Sequence, residues 1–208
     1  MIFSTAYSIA LNDRAALERL GPALSAAPYN APPQAPVVAI KPRTCWRGQG
    51  AATPLPEDLS AVEIAPTLGL LFATDCGPGV SPSAAIGAAC LALDVGEPGG
   101  DFYRPAIRQR CRDGFLPLGD FGPWAEALAK VEIVTCIDGQ EAHRWSLTRL
   151  IRPVDRLVRD LSDFMTLRAG DLLLVGLPDD APIARAGQSI TVSASGLPTL
   201  STRIEAQA

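Results

Sequence analysis

The stretch Val62-Glu-Ile-Ala-Pro-Thr-Leu-Gly-Leu-Leu-Phe72 is a largely apolar run of the kind that forms a buried strand. Working outward from it, similar short runs follow at 131–137, 171–177 and 189–194. The dipeptide Asp138-Gly139 is a hairpin signal directly after the first of these, before a second arm at 144–151. The pattern predicts a mainly β (α+β) domain with a few short helices over residues 57–208.

Two segments between these runs predict short helices. Residues 84–93 are small and apolar, which is typical of a tightly packed helix, and they lead into Asp94. Residues 154–161 place apolar and charged side chains at helical spacing and predict an amphipathic helix. No internal repeat of about 20 to 50 residues is visible.

The first part of the chain differs in composition from the rest. Residues 1–11 predict a strand, and residues 14–20 predict a helix that Gly21-Pro22 ends. Four prolines between positions 28 and 36 then require an extended loop. We therefore expect residues 1–56 to form a small N-terminal subdomain with a proline-rich loop.

Composition and charge exclude several classes of protein. The chain has 208 residues, 48% of them hydrophobic, which suffices for one substantial core. Its net charge is −4 and its lysines are Lys41 and Lys130, so it has no basic stripe for nucleic acid. Five scattered cysteines without a CxxC pair indicate reduced thiols, and no apolar run reaches the roughly 20 residues of a membrane span. We expect a cytoplasmic protein with neither nucleic acid nor membrane as a partner.

A dense group of polar residues lies between positions 94 and 120. Its members include Tyr103, Arg104, Arg108, Arg110, Arg112 and Asp113. Guanidinium groups bind carboxylates through two parallel hydrogen bonds, so this group can recognise a small dicarboxylate or tricarboxylate. A solvated loop whose charges pair among themselves is the alternative. Composition leaves both interpretations open.

Several short motifs occur in an order that resembles the fumarylacetoacetate hydrolase superfamily. They are Ile40-Lys-Pro-Arg43, the run at 62–72, Leu93-Asp-Val95, Arg110-Cys-Arg-Asp-Gly-Phe115, Pro117-Leu-Gly119, Met165-Thr-Leu167 and Gly170-Asp171. Tyr29-Asn-Ala-Pro-Pro33 and residues 102–115 look closer to one branch, the isomerase/decarboxylases of homoprotocatechuate (4-hydroxyphenylacetate) breakdown. That branch contains one duplicated chain or two separate subunits, and this chain is similar to the N-terminal half. The resemblance implies a mixed β-roll fold.

The resemblance also implies a Mg²⁺ or Mn²⁺ ion held by three carboxylates, which chelates a 2-oxo acid and stabilises an enolate. In the family a Glu-x-Glu pair supplies two ligands, and here Ala65 and Thr67 stand at those positions. Asp94 stands at the position of the third ligand and retains its carboxylate. Glu63, about 7 Å from position 65 along a strand, is the substitute carboxylate to consider. We therefore expect metal binding by this chain to be weak or absent.

Residues of the polar group receive roles from the same resemblance. Arg110 falls at the family's active-site lysine and Asp113 at its aspartate, so these two are the predicted catalytic residues. Arg104, Arg110 and Tyr103 are the predicted substrate-binding residues, from the carboxylate-binding character of the polar group rather than from the resemblance. Ala16 stands where the hydrolase dyad has its histidine, so we do not expect hydrolysis of a carbon–carbon bond.

The resemblance thus implies a subunit of an isomerase/decarboxylase that acts on a dicarboxylate or tricarboxylate 2-oxo acid. Its own metal site is degenerate, and the complete metal centre is expected on a second, homologous subunit. The expected assembly is a homodimer or a heteromer with that subunit. Three alternatives stay open at this point. One is a non-catalytic scaffold for such a subunit. Another is a different enzyme of the superfamily that acts on a 2-oxo acid. A third keeps activity in this chain, with Asp94, Arg110 and Asp113 assisting decarboxylation without a full metal site.

Overall fold

The structure is a computed structural model, and it describes residues 4–99 and 106–207. The strands in this part of the chain are β1 (Ala6–Ala10), β2 (Val37–Lys41), β3 (Trp46–Arg47), β4 (Thr53–Leu55), β5 (Val62–Phe72), β6 (Ile86–Gly96), β7 (Leu116–Pro117), β8 (Gly122–Pro123), β9 (Glu132–Ile137), β10 (Gln140–Ser146), β11 (Leu172–Leu174), β12 (Ile183–Ala184), β13 (Ser189–Ala194) and β14 (Leu200–Ala206). The α-helices are α1 (Arg14–Leu20), α2 (Pro82–Ala85), α3 (Ile107–Arg110) and α4 (Val154–Ser162), and short 3-10 helices lie at Gly21–Ser25, Arg43–Cys45, Glu126–Lys130 and Leu147–Arg149. None of these helices is long and apolar enough to cross a membrane. The prediction of a mainly β fold with short helices is confirmed.

Two eleven-residue strands, β5 and β6, form the centre of the fold. They pair antiparallel from Glu63 opposite Gly96 to Leu71 opposite Ala88. Most side chains on both faces of the pair are buried, because other elements cover each face. The run at 62–72 is therefore the buried strand that the sequence predicts.

The prediction of a helix over residues 84–93 is wrong. Only Pro82–Ala85 forms a helical turn, α2, and Ile86–Gly96 forms the strand β6. Small apolar residues suit a closely packed helix as well as a strand that is buried on both faces, and periodicity alone does not separate the two. Pairing with β5 along almost the whole strand overrides the local preference.

The larger sheet curls around one of its faces. Within the described residues its order is β2-β1-β11-β5-β6-β8, and β12 also pairs with β5. In a flat sheet of this order β1 and β6 would lie about 14 Å apart, at about 4.8 Å per strand. Instead, Ser8 on β1 donates a hydrogen bond to Asp94 on β6, with 2.5 Å between Oγ and Oδ2. The curl therefore brings strands that are not neighbours to one site.

A second sheet, of order β10-β9-β13-β14-β4, packs against the other face of β5 and β6. Its first hairpin turns at Asp138-Gly139, where both residues have a positive φ, 51° and 79°. Tight two-residue hairpin turns require such angles, and the predicted hairpin is confirmed. The second arm ends at Ser146 rather than at residue 151, because a 3-10 helix follows it.

The main core lies between the two sheets. Trp145, Phe72 and Phe115 are among its largest fully buried side chains. The helix α4 covers one side of this core, so the amphipathic helix predicted at 154–161 is confirmed. Its buried apolar residues are Val154, Leu157, Val158 and Leu161.

The N-terminal segment contributes strands to both sheets. β1 pairs parallel with β11 and antiparallel with β2, whereas β4 pairs parallel with β14. The division into residues 1–56 and 57–208 stays a prediction. Hydrogen bonding between strands runs across it.

Two glycines with the same backbone angle test the packing of the loop after α3. Gly114 and Gly139 both have a φ of +79°, but a Cβ on Gly114 would lie 2.4 Å from Cδ of Pro54, whereas one on Gly139 would meet nothing within 4 Å. We expect Gly139→Ala to lower the free energy of unfolding by about 1–2 kcal/mol, the cost of a left-handed alanine. Gly114→Ala should cost about 1–3 kcal/mol more, because the rigid proline ring must shift. Urea unfolding measures both variants, and equal losses would contradict the close contact with β4.

Candidate functional site

One buried carboxylate, that of Asp94, lies inside the curl of the larger sheet. Asp94 stands on β6 directly opposite Ala65 on β5, and it is 1% exposed. Ser8 Oγ donates to its Oδ2 at 2.5 Å, and Lys41 Nζ donates to its Oδ1 at 2.9 Å. Burying a carboxylate without such partners costs several kcal/mol, so these contacts are what permits the charge here.

Lys41, the last residue of β2, supplies one cation. Its side chain is fully buried, and its ammonium group donates to Asp94 and to the backbone carbonyl of Arg110. A lysine this deeply buried is stable only when its charge is paired. Lys41 is not among the predicted site residues. The signals that could have found it are its place in the motif Ile40-Lys-Pro-Arg43 and the scarcity of lysine in the chain.

Arg110, at the end of α3, supplies the second cation. Its Nη2 donates to Oε1 of Glu63 at 2.6 Å, and its Nη1 donates to Oδ1 of Asp94 at 3.3 Å. The guanidinium packs on Gly96, where an added Cβ would lie 3.2 Å from Cζ and Nη1. Because Gly96 faces Glu63 across the β5–β6 pair, the fork of one arginine reaches both carboxylates.

We call Ser8, Lys41, Glu63, Asp94 and Arg110 the Asp94 cluster. Burial by itself would raise the pKa of Asp94, but the charges of Lys41 and Arg110 and the hydrogen bond from Ser8 outweigh it and hold that pKa below its usual value. Burial would lower the pKa of Arg110, and the carboxylates of Asp94 and Glu63 reverse this and raise it. Asp94 and Arg110 are therefore both charged at neutral pH.

A cleft of about 260 Å³ opens beside the Asp94 cluster. Its lining includes Glu63, Arg110, Arg19 and Asp179. Arg19 is exposed and forms an ion pair with Asp179, with 2.7 Å between Nε and Oδ2. The side chain of Arg110 is 18% exposed, so a molecule in the cleft can reach it. Two guanidinium groups on one cleft suit a ligand that carries carboxylates.

The structure brings three of the predicted site residues together: Asp94, Arg110 and Glu63. Asp113 is exposed on the loop after α3, and no hydrogen bond or ion pair joins its side chain to the Asp94 cluster in the described parts of the chain. The predicted substrate-binding residues Tyr103 and Arg104 lie outside the described residues. Their roles and that of Asp113 stay predictions.

The donors around Asp94 do not fit the three-carboxylate metal site that the resemblance implies. Ala65 has no donor atom, and Thr67 uses its hydroxyl to donate to the carbonyl of Gly176 at 2.6 Å. The Oδ1 atom of Asp94 already accepts from two cationic side chains. Among residues 4–99 and 106–207, no three His, Cys, Asp or Glu side chains are grouped so that they could hold a metal ion. The carboxylates that are present are paired with protein cations.

Known proteins are similar in sequence to this chain over nearly its whole length. The profile of the fumarylacetoacetate (FAA) hydrolase C-terminal family matches residues 5–205. The chain is 37% identical over 205 residues to the 4-hydroxyphenylacetate degradation bifunctional isomerase/decarboxylase of Salmonella dublin, which covers 98% of this chain and 47% of that protein. It is 36% identical over 201 residues to the protein of the same name from Escherichia coli, which covers 94% and 46%. The chain spans about half the length of the curated relatives it matches.

Solved structures share the fold. The 5-carboxymethyl-2-hydroxymuconate delta-isomerase of Mycobacterium smegmatis superposes with a TM-score of 0.80 at 24% identity, covering 100% of this chain and 81% of that one. The fumarylpyruvate hydrolase of Pseudomonas aeruginosa, in complex with Mn²⁺ and pyruvate, superposes with a TM-score of 0.80 at 21% identity, covering 99% and 91%. At these identities the likeness shows the fold alone. The predicted superfamily fold is confirmed.

The buried contact between Lys41 and Asp94 gives a stability test with an internal control. Lys41→Met keeps an apolar stem and removes the charge, which leaves the buried carboxylate with Arg110 as its one cationic partner in the cluster. We expect the free energy of unfolding to fall by about 3 kcal/mol. Lys130→Met, at an exposed lysine, should change it by at most about 0.5 kcal/mol. Denaturant unfolding measures both, and small changes in both variants would show that the ion pair adds no stability.

The lowered pKa of Asp94 predicts sensitivity to acid. Because the folded-state pKa lies below the unfolded value of about 3.9, ionised Asp94 stabilises the fold above that pH, and this contribution is lost as the pH falls through the folded-state pKa. We expect the free energy of unfolding to decline below about pH 4. Asp94→Asn should be less stable at pH 7 and should show a shallower decline in acid. An unchanged slope in the Asn variant would assign the acid sensitivity to other carboxylates.

Proposed function

Since the chain belongs to the fumarylacetoacetate hydrolase family, we propose that it is a subunit of an isomerase/decarboxylase of 4-hydroxyphenylacetate breakdown. Its assembly would act on 5-oxopent-3-ene-1,2,5-tricarboxylate as a decarboxylase and on 2-hydroxyhepta-2,4-diene-1,7-dioate as an isomerase. The observation that carries the proposal is the 36–37% identity, along nearly the whole chain, to bifunctional isomerase/decarboxylases of which it spans about half. A second subunit would supply the other half.

The cleft supports an anionic substrate. Loss of carbon dioxide from a 2-oxo acid and transfer of a proton between its carbons both pass through an enolate, and fixed positive charge stabilises that oxygen. Arg110 places such a charge in the cleft, and Arg19 lies on the same cleft. Because neighbouring carboxylates raise the pKa of Arg110, its guanidinium stays protonated. It binds and orients a carboxylate but does not transfer a proton.

We assign the metal chemistry of the assembly to the homologous subunit. Ala65 and Thr67 leave this chain without the Glu-x-Glu pair, and the nearby carboxylates of Asp94 and Glu63 are paired with Lys41 and Arg110. A homologous subunit that carries the pair would hold Mg²⁺ or Mn²⁺. This chain then contributes the anion-binding cleft and one side of the interface.

Exposed apolar side chains near the Asp94 cluster support an interface with another subunit. Ile40 is 55% exposed on β2, which ends the larger sheet within the described residues, and Ile107 is 62% exposed at the start of α3. Cys111 connects the two places, because its thiol donates to the carbonyl of Ile40 and its backbone N–H donates to the carbonyl of Ile107. Apolar side chains beside a sheet edge are typical of a surface that another chain covers. A homodimer and a heteromer both fit, and we propose the heteromer wherever the homologous subunit is present.

A non-catalytic scaffold is the second candidate. It is favoured by the run Val175-Gly-Leu-Pro178, which stands where the family resemblance implies Thr-Gly-Thr-Pro, with hydroxyl side chains for a substrate carboxylate. A third candidate keeps catalysis in this chain through Asp94, Arg110 and Asp113. The exposed position of Asp113, outside the Asp94 cluster, gives it the least support.

Turnover by the chain alone and in its assembly tests the proposal. The chain is purified alone and together with a homologous subunit carrying the Glu-x-Glu pair, sought among the neighbouring genes. Release of carbon dioxide reports the decarboxylase, and the ultraviolet absorbance of the dienol reports the isomerase. We expect both activities from the assembly and neither from the chain alone. Full turnover by the isolated chain would contradict the division of labour.

Variants of two arginines separate a substrate-binding subunit from a scaffold within the same experiment. Arg110→Ala should raise KM of the assembly by about tenfold, the equivalent of one charge-assisted hydrogen bond of about 1.5 kcal/mol. Arg112→Ala is the matched control, because Arg112 pairs with Asp58 and Glu97 and does not line this cleft. Unchanged KM values in both variants would favour the scaffold.

A further inference from the structure

We propose that the guanidinium of Arg110 takes, in this chain, the place that a divalent cation takes in metal-binding members of the family. The Asp94 cluster is then a complete site with a built-in cation, and it needs no metal ion. This inference goes beyond the proposed function. Its test uses no substrate, so it can fail while the proposed function holds.

The pairing of β5 with β6 defines the sheet face on which Arg110 would replace the metal ion. Residues directly opposite each other in an antiparallel pair lie on the same face, so positions 63 and 65 share a face with positions 96 and 94. The family resemblance expects carboxylates at 65, 67 and 94. Here the carboxylates of Glu63 and Asp94 lie on that face, and the guanidinium of Arg110 contacts both. The cation has moved by one residue pair towards Glu63.

Charge balance opposes a metal ion while Arg110 is present. Glu63 and Asp94 carry two negative charges, and Lys41 and Arg110 carry two positive charges, so the four cancel. Both cations donate to the same oxygen of Asp94, at 2.9 Å and 3.3 Å. A divalent ion at this oxygen would lie within a few ångströms of both cations, in a site where water screens little of the repulsion. Removing Arg110 relieves half of that repulsion and frees Glu63.

Arginine at position 110 is suited to replacing a metal ion between two carboxylates. The family resemblance places a lysine there, and an ammonium group is a compact point charge. The planar fork of arginine can bond two carboxylates at once, as Nη2 and Nη1 of Arg110 do. Gly96 leaves the space in which the guanidinium lies. The absence of glutamates at positions 65 and 67, the two-carboxylate contact of Arg110 and the glycine at position 96 therefore all support the same proposal.

Titration with Mn²⁺ tests the inference. The protein is dialysed against EDTA, bound Mn²⁺ is measured from the loss of the free-ion signal in electron paramagnetic resonance, and the melting temperature is recorded in parallel. We expect the wild type to show no saturable Mn²⁺ site and no rise in melting temperature. Arg110→Ala should gain one site per chain, with binding at least about tenfold tighter than in the wild type, because a unit charge close to the ion is gone. Its melting temperature should rise with Mn²⁺.

The controls decide whether a gained site belongs to the Asp94 cluster. Arg112→Ala is matched, because Arg112 also joins two carboxylates, Asp58 and Glu97, at the surface, and it should gain no such site. Adding Glu63→Gln to Arg110→Ala should abolish the gain. Arg110→Gln, which keeps a polar side chain without the charge, gives the same readout if the alanine variant does not fold. Tight Mn²⁺ binding by the wild type, or no gain over Arg112→Ala in either neutral variant, would overturn the proposal.

Discussion

The ion pair between Asp94 and Lys41 forms only if the larger sheet is curled. Asp94 lies on β6 and Lys41 on β2, four strands apart in the sheet order, yet 2.9 Å separates their charged atoms. A flat sheet would hold those strands about 19 Å apart. The curl of the sheet and the pairing of the charges therefore depend on each other. Opening the curl would leave both buried charges without partners, at a cost of several kcal/mol.

The two faces of the β5–β6 pair have different surroundings. The face towards the second sheet is sealed by apolar side chains and supplies most of the buried area. The face inside the curl holds a smaller apolar cluster, which includes Ala6, Cys90 and Leu172, and beside it polar groups from β1, β2, β5, β6 and α3. Strands carry the hydroxyl, the ammonium group and both carboxylates, and groups carried on strands are held in place more precisely than groups on loops. Arg110 and Glu63 are the members of the Asp94 cluster that also line the cleft, so a molecule bound there would meet groups that the buried ion pairs hold in place.

Local patterns predict much of this fold, because β5, the Asp138-Gly139 turn and α4 each carry their signal within about ten residues. The strand β6 lacks such a signal, since its small apolar residues fit a helix equally well and only its partner strand decides. The site depends on contacts between residues that are 47, 53 and 86 positions apart, and no local pattern reports them. Asp94 and Arg110 are found through family motifs rather than periodicity. Lys41 is missed because a lysine is expected at the surface, and only the curl shows that it is buried.

Ala65 limits which single substitutions this fold tolerates. It is fully buried directly opposite Asp94, so a glutamate at this position alone would add an unpaired charge to a neutral site. Loss of Arg110 alone would leave Glu63 and Asp94 short of one cation. Each of these single substitutions thus gives a less stable protein. Three carboxylates at positions 65, 67 and 94 would be compatible with this fold only if several substitutions were made together.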